Sequence, residues 1–147
     1  MSSSRFMHGF RGAVFALAVL AVAATPALAQ EAAQRLRSIV RLRCTVPADS
    51  RTAASLGRQR QGSGVLIDQS GLVLTIGYLV NEADQVWLRA NDGRVAQAHV
   101  LGIDNGSGFA LVQAFGRLDV PAIGIGDSDV AQIGDDVVFA GGGGRHR

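Results

Sequence analysis

The sequence predicts an all-β fold: a six-stranded antiparallel barrel, preceded by an export leader. Three observations point there. Apolar residues recur with a period of two in short runs. Turn signals rich in Gly, Asn, Asp and Ser separate those runs at intervals of roughly ten residues, as in small barrels and sandwiches. No amphipathic pattern continues for longer than about two helical turns.

The leader comes first. Met1 to Gly12 is polar, with Arg5 and Arg11 and no acid, and Ala13 to Ala24 is a 12-residue apolar run. "TPALA" follows, with Ala27 and Ala29 in the small-x-small arrangement of a signal-peptidase site, so cleavage is expected before Gln30. A membrane span needs about 20 apolar residues, and this run is too short. Arg5 and Arg11 do not form a twin-arginine signal. The expected product is a periplasmic or secreted domain of 118 residues, enough for one core.

The strands follow in order. In "SIVRLRCTV", Val40, Leu42, Cys44 and Val46 share one face while Arg41, Arg43 and Thr45 share the other. Pro47 to Gln61 reads as a polar loop, so residues 30–61 form a first strand with an Arg-rich loop. "GVLID" and "LVLTI" are joined by Gln69-Ser70-Gly71, a hairpin signal. "QVWLRA" and "RVAQAHVLGID" are joined by Asn91-Asp92-Gly93, whose Asn and Gly tolerate positive φ. "FALVQA" is the sixth strand, so residues 62–115 complete the barrel. Residues 116–147 read as a linker, a stray strand in "DVVFA" (Asp136 to Ala140) and a Gly-rich tail.

Charge is segregated. Beyond the leader the chain carries 12 Arg, no Lys and 12 acids. Residues 30–60 hold seven Arg against Glu31 and Asp49, and residues 61–147 hold five Arg against ten acids. No aromatic residue interleaves with the seven arginines in sequence, and an exported chain rarely meets nucleic acid, so no nucleic-acid partner is expected. Cys44 is the only cysteine, so no internal disulfide can form. It reads as a buried strand residue, with an intermolecular disulfide as the alternative.

The stretches "GSGVLIDQSGLVLTIGYLV", "NDGR", "DNGSGFALV" and "IGIGDSDVAQIGDDVVFAGGGG" together resemble the HtrA/DegP type of trypsin-like serine protease. The resemblance runs without a gap from Gly62 to about Gly142, with Ile39 to Val46 as the family's first strand. It implies the first barrel of a two-barrel fold whose cleft holds a Ser-His-Asp triad. The family's histidine position is occupied by Tyr78, 14 residues after Gly64, and its aspartate position by Gly108. A histidine serves as base because its pKa is near working pH and its second nitrogen is held by the aspartate. A tyrosine hydroxyl, with a pKa of about 10, is a donor at pH 7. A glycine can orient nothing. The family's nucleophile lies in a Gly-x-Ser-Gly-Gly turn of the second barrel, and after Gly108 the only serine is Ser128, in "GDSD". No catalytic residue is therefore expected, and Tyr78→His with Gly108→Asp is not expected to restore one.

Other candidates read as structural. Ser63 in "GSG" begins a strand, and His99 falls on the solvent side of its strand. His8 leaves with the leader, and His146 lies in the tail. Asp127, Asp129, Asp135 and Asp136 lack the loop and closing glutamate of a calcium hand and read as turn and cap residues. No phosphate loop, zinc spacing or dinucleotide fingerprint occurs, so neither cofactor nor metal is expected.

The expected function is that of an exported, catalytically inactive pseudoprotease. At most it binds a protein or peptide, or itself, through the face the family's second barrel would cover. The alternative is a truncated or frameshifted remnant with no function of its own, and an enzyme of unrelated chemistry is the third reading.

Overall fold

The computed structural model describes residues 30, 33–135, 137 and 139–141. The expected leader and His146 lie outside them. Met1–Ala33 and Gln34–Arg147 are separate units, and the barrel lies wholly in the second. No helix among the described residues is long and apolar enough to cross a membrane.

Six strands close into an antiparallel barrel in the order β1-β2-β3-β6-β5-β4. They are β1 (Ile39–Thr45), β2 (Gln59–Asp68), β3 (Leu72–Ile76), β4 (Gln85–Ala90), β5 (Val95–Ile103) and β6 (Phe109–Ala114). Two one-turn helices interrupt them, α1 (Ala53–Leu56) and α2 (Gly77–Val80), and a 3-10 turn covers Ser128–Val130. β4 and β6 coincide with the "QVWLRA" and "FALVQA" runs. The loop after β1 is shorter than expected, because β2 begins at Gln59 rather than Gly62. Register explains the extension: Gln59, Arg60 and Gln61 pair with Thr45, Cys44 and Arg43.

The period of two is realised as burial. Val40, Leu42 and Cys44 of β1 are fully buried, as are Leu88 of β4 and Val112 of β6. Ala98, Ala110 and Ala114 face the same interior, so small residues offset the large ones in a narrow barrel. Leu118 and Val120 join this core beyond β6, and Ile123 donates its backbone N–H to Leu66 O at 2.9 Å. Each buried Leu or Val side chain contributes about 1.5–3 kcal/mol relative to exposure.

β2 turns the corner of the barrel, pairing first with β1 and then, from Val65, with β3. The "GSG" motif permits that bend. A Cβ on Gly64 would lie 2.6 Å from Val73 Cγ1 and 2.7 Å from Leu42 Cδ1, and one on Gly62 would lie 2.3 Å from Leu79 Cδ1. A side chain at either position would force the buried Leu79, or Val73 and Leu42, to shift. Ser63 between them accepts at its carbonyl from Thr75 Oγ1 at 2.9 Å. That places the motif's role in the barrel wall.

Cys44 is inaccessible within the core, which leaves no route to the alternative intermolecular disulfide. Burial pushes its thiol up to about 11, against the opposing pull of the Arg60 charge. Of the strand expected at Asp136 to Ala140, Asp136 and Val138 lie outside the described residues, and Val137, Phe139 and Ala140 carry no strand assignment.

Candidate functional site

Positions 78 and 108, which the motifs align with the protease base and its carboxylate partner, meet at one end of the β3–β6 pair. Ile76 is opposite Phe109 in that ladder. The chain leaves β3 directly into α2, whose Leu79 and Val80 are buried anchors. On the other side, Gly77 donates its backbone N–H to Gly108 O at 2.7 Å. Two segments distant in sequence are thus locked together by one main-chain bond.

Neither segment offers the side chain that the position calls for. Tyr78 is 53% exposed, and its carbonyl accepts from Arg60 Nη1 at 2.8 Å. Gly108 sits at φ +79, and nothing lies within 4 Å of a Cβ built there. Space for a carboxylate is present, but the backbone is in the left-handed region that glycine favours.

The loop before Gly108 does contain a carboxylate. Asp104 accepts from Ser107 Oγ at 2.6 Å, from Gly106 N at 2.9 Å and from Ser107 N at 3.3 Å. Those bonds, the Ser107 hydroxyl foremost, hold its carboxyl below the usual range. The anion is committed to its own turn. Gly108 N also donates to Asp104 O at 2.8 Å, closing that turn on the glycine. Asp104 was invisible as part of this site because "DNGSG" reads only as a turn.

Beside the pair is an open hollow of about 440 Å³, lined chiefly by Leu74, Ile103, Phe109 and Leu111 with Asp104 and Ser107 at its rim. Phe109 and Ile76 stay half-exposed next to it. Contiguous exposed apolar surface of this kind marks interaction sites.

The arrangement rests on a residue that nothing in the linear order of the chain singles out. Arg60 is only 4% exposed. Its guanidinium donates to Gly57 O at 3.1 Å, Tyr78 O at 2.8 Å, Asn81 O at 2.9 Å and Thr52 Oγ1 at 2.8 Å. Thr52 in turn donates its N–H (2.8 Å) and its hydroxyl to the Glu82 carboxylate. Those two bonds, the hydroxyl first, draw the Glu82 carboxyl down, with Arg51 adding to the effect. Glu82 adopts φ 59, a left-handed conformation held by this anchorage. The network pins both ends of α2, so the exposure of Tyr78 is a fixed feature of the fold.

The remaining candidates lie elsewhere. His99 is exposed on β5 and stacks on Phe115, with ring centroids 5.0 Å apart and planes at 19°. It is opposite Gln113, four residues along β6 from Phe109, or about 13 Å by strand rise. Asp127 accepts from Asp129 N at 3.0 Å and Asp135 from Gln132 N at 2.9 Å, both as turn caps. Asp136 lies outside the described residues.

Comparison with known proteins agrees with this geometry. Residues 62–147 match the family model of the trypsin-like peptidase domain. The chain is 40% identical over 81 residues to the periplasmic pH-dependent serine endoprotease DegQ of Escherichia coli (strain K12), covering 54% of this chain and 18% of that protein. It is 36% identical over 80 residues to the serine endoprotease DegS of the same organism, covering 54% and 22%. The chain thus spans about a fifth of the length of these relatives. Among solved structures, the HtrA-type protease AlgW with tripeptide superposes with a TM-score of 0.59 at 24% identity, covering 70% of this chain and 31% of that one. A family match over more than half of its length, relatives of one protease type and a closed six-stranded barrel place the chain in the trypsin-like peptidase domain family, of HtrA/DegP type.

Proposed function

We propose that this chain is an exported, catalytically inactive HtrA-like barrel whose role is to bind protein, through the apolar surface around Ile76, Phe109 and the adjoining hollow. The observation that carries the reading is the pair at the Gly77–Gly108 bond: a tyrosine at the base position and a glycine at the carboxylate position. A triad works because an imidazole held in the right tautomer takes the nucleophile's proton. This barrel supplies neither the imidazole nor the group that would hold it. A serine presented to it finds no imidazole to take its proton. Export follows from the leader and agrees with the periplasmic relatives.

Fluorescein-labelled casein tests both halves with one reagent. The purified chain is expected to bind it, raising its anisotropy, and to leave it uncut over hours, with no labelling of the chain by a fluorophosphonate. Ile76→Ser with Phe109→Ser should weaken binding severalfold. Cleavage that co-purifies with the chain and disappears in Tyr78→Phe, which removes only a hydroxyl, would overturn the inactive reading. Absence of binding would overturn the binding role.

A further inference from the structure

On the side of the barrel opposite the β3–β6 pair, β4 runs between β1 and β5. Val86, Leu88 and Ala90 point into the core, so Gln85, Trp87 and Arg89 form the outer row of this strand. Trp87 is 40% exposed, a large ring left open to solvent. Register supplies its neighbours on either side: Arg43 of β1 and the exposed Gln97 of β5. The indole is therefore bordered on four sides by planar hydrogen-bonding groups, two along its own strand and two across it. The first pair is about 6.8 Å away along the strand, the second about 5 Å away across the ladder. A groove of about 590 Å³ runs over this face, with Trp87, Gln85, Arg89 and Arg43 among its walls.

The same geometry narrows what such a surface recognises. β1 and β4 are each paired on both sides. No strand edge is open beneath the groove, so an extended peptide cannot dock there by adding a strand. Recognition falls to side chains alone. Apart from the indole, Leu88 and Val95 the walls are polar, unlike the apolar pockets in which the anchor side chains of a protein partner are buried. Trp87 is also the one aromatic residue among the walls, whereas a single-stranded nucleic acid stacks successive bases on successive rings.

We infer that this face binds a glycan, a chain of pyranose rings one of which packs its C–H face on Trp87. A pyranose has an apolar face and a perimeter of hydroxyls. The groove presents the complement, an aromatic ring with hydrogen-bonding groups around it. The negative face of the indole attracts the positively polarised C–H bonds. Each hydroxyl both donates and accepts, and the amides of Gln85 and Gln97 can do the same, while the guanidinium groups of Arg43 and Arg89 donate. Sugars with equatorial hydroxyls and β-linkages keep their C–H faces clear, and they fit this arrangement best. The inference stands independently of the proposal for the β3–β6 end.

Trp87 is the only tryptophan in the chain and reports on the groove directly. The full chain should be titrated with cellohexaose and with chitohexaose, following tryptophan emission. Expected is a saturable change with at least one of them, unaltered when salt is raised, because neither probe carries charge to be screened. Gln85→Ala with Gln97→Ala keeps the fluorophore and should weaken binding severalfold. Trp87→Ala, followed by calorimetry, should abolish it, and Trp87→Phe, which keeps a ring, should weaken it less. Ile76→Ser with Phe109→Ser should leave the response intact. No response to either glycan, or a response that the glutamine substitutions leave unchanged, would overturn the inference. So would tighter binding of a peptide of alternating Glu and Thr, or of a single-stranded oligonucleotide.

Discussion

At the residue scale, the proposed inactivity turns on Gly108. Restoring the missing carboxylate by Gly108→Asp meets open space but a φ of +79, so the substitution should destabilise the barrel by about 1 kcal/mol. Denaturant unfolding measures that cost, and casein cleavage should stay at the blank even with Tyr78→His added. Cys44 provides a second test at this scale. With the native thiol pushed up to about 11 and buried, iodoacetamide at pH 8 should modify it only on unfolding, because the thiolate is the nucleophile. The linkage has a definite sign. The native state holds this proton more tightly than the unfolded chain, so that contribution is fully present below pH 9, the thiol's ordinary value, and is lost as pH rises through about 11. A urea midpoint that did not fall over that window, compared with Cys44→Ala, would contradict the assignment.

At the scale of elements, α2 is one turn long and too short to be stable alone. Its position comes from the Arg60 guanidinium, which spans Gly57, Thr52, Tyr78 and Asn81. Arg60→Met keeps most of the volume but orphans several buried acceptors, and should cost about 3 kcal/mol. Hydrogen exchange should localise the loss to α2 and the α1 loop, with the β1–β4 ladder protected as before; uniform loss would contradict the local role. Glu82 adds a pH test. Its carboxyl is held low by Thr52 and Arg51, so its stabilisation is present above the ordinary carboxylate pKa and lost as pH falls through the lower native value. Glu82→Gln should flatten that part of the acid unfolding profile.

For the whole molecule the question is what covers its apolar surface. Ile125, Val130, Ile133, Val137 and Phe139 are largely exposed along the segment after the barrel, and Ile76 and Phe109 are half-exposed beside α2. Surface of that extent promotes association. At about 25 cal/mol per Å², a few hundred Å² of it rivals the net stability of a small domain. The chain is therefore expected to self-associate with rising concentration in light scattering, and Ile133→Ser with Phe139→Ser should shift it toward monomer. A monomer unchanged by these substitutions at high concentration would show that this surface does not drive assembly.

The strands, the solvent-facing arginines and the tyrosine and glycine at positions 78 and 108 were legible in the residues themselves. A period of two sorts side chains to opposite faces wherever a strand lies, and neither tyrosine nor glycine carries an imidazole or a carboxylate in any fold. Arg60 was not legible: in "GRQRQGSG" it reads as one more solvated charge, and it becomes a buried strut only because acceptors from Thr52, Gly57, Tyr78 and Asn81 converge on it. The adjacency of Trp87 to Arg43 likewise depends on the β1–β4 register. Composition and periodicity act along the chain, whereas register, burial of a charge and partnership across the barrel arise from contacts between distant segments.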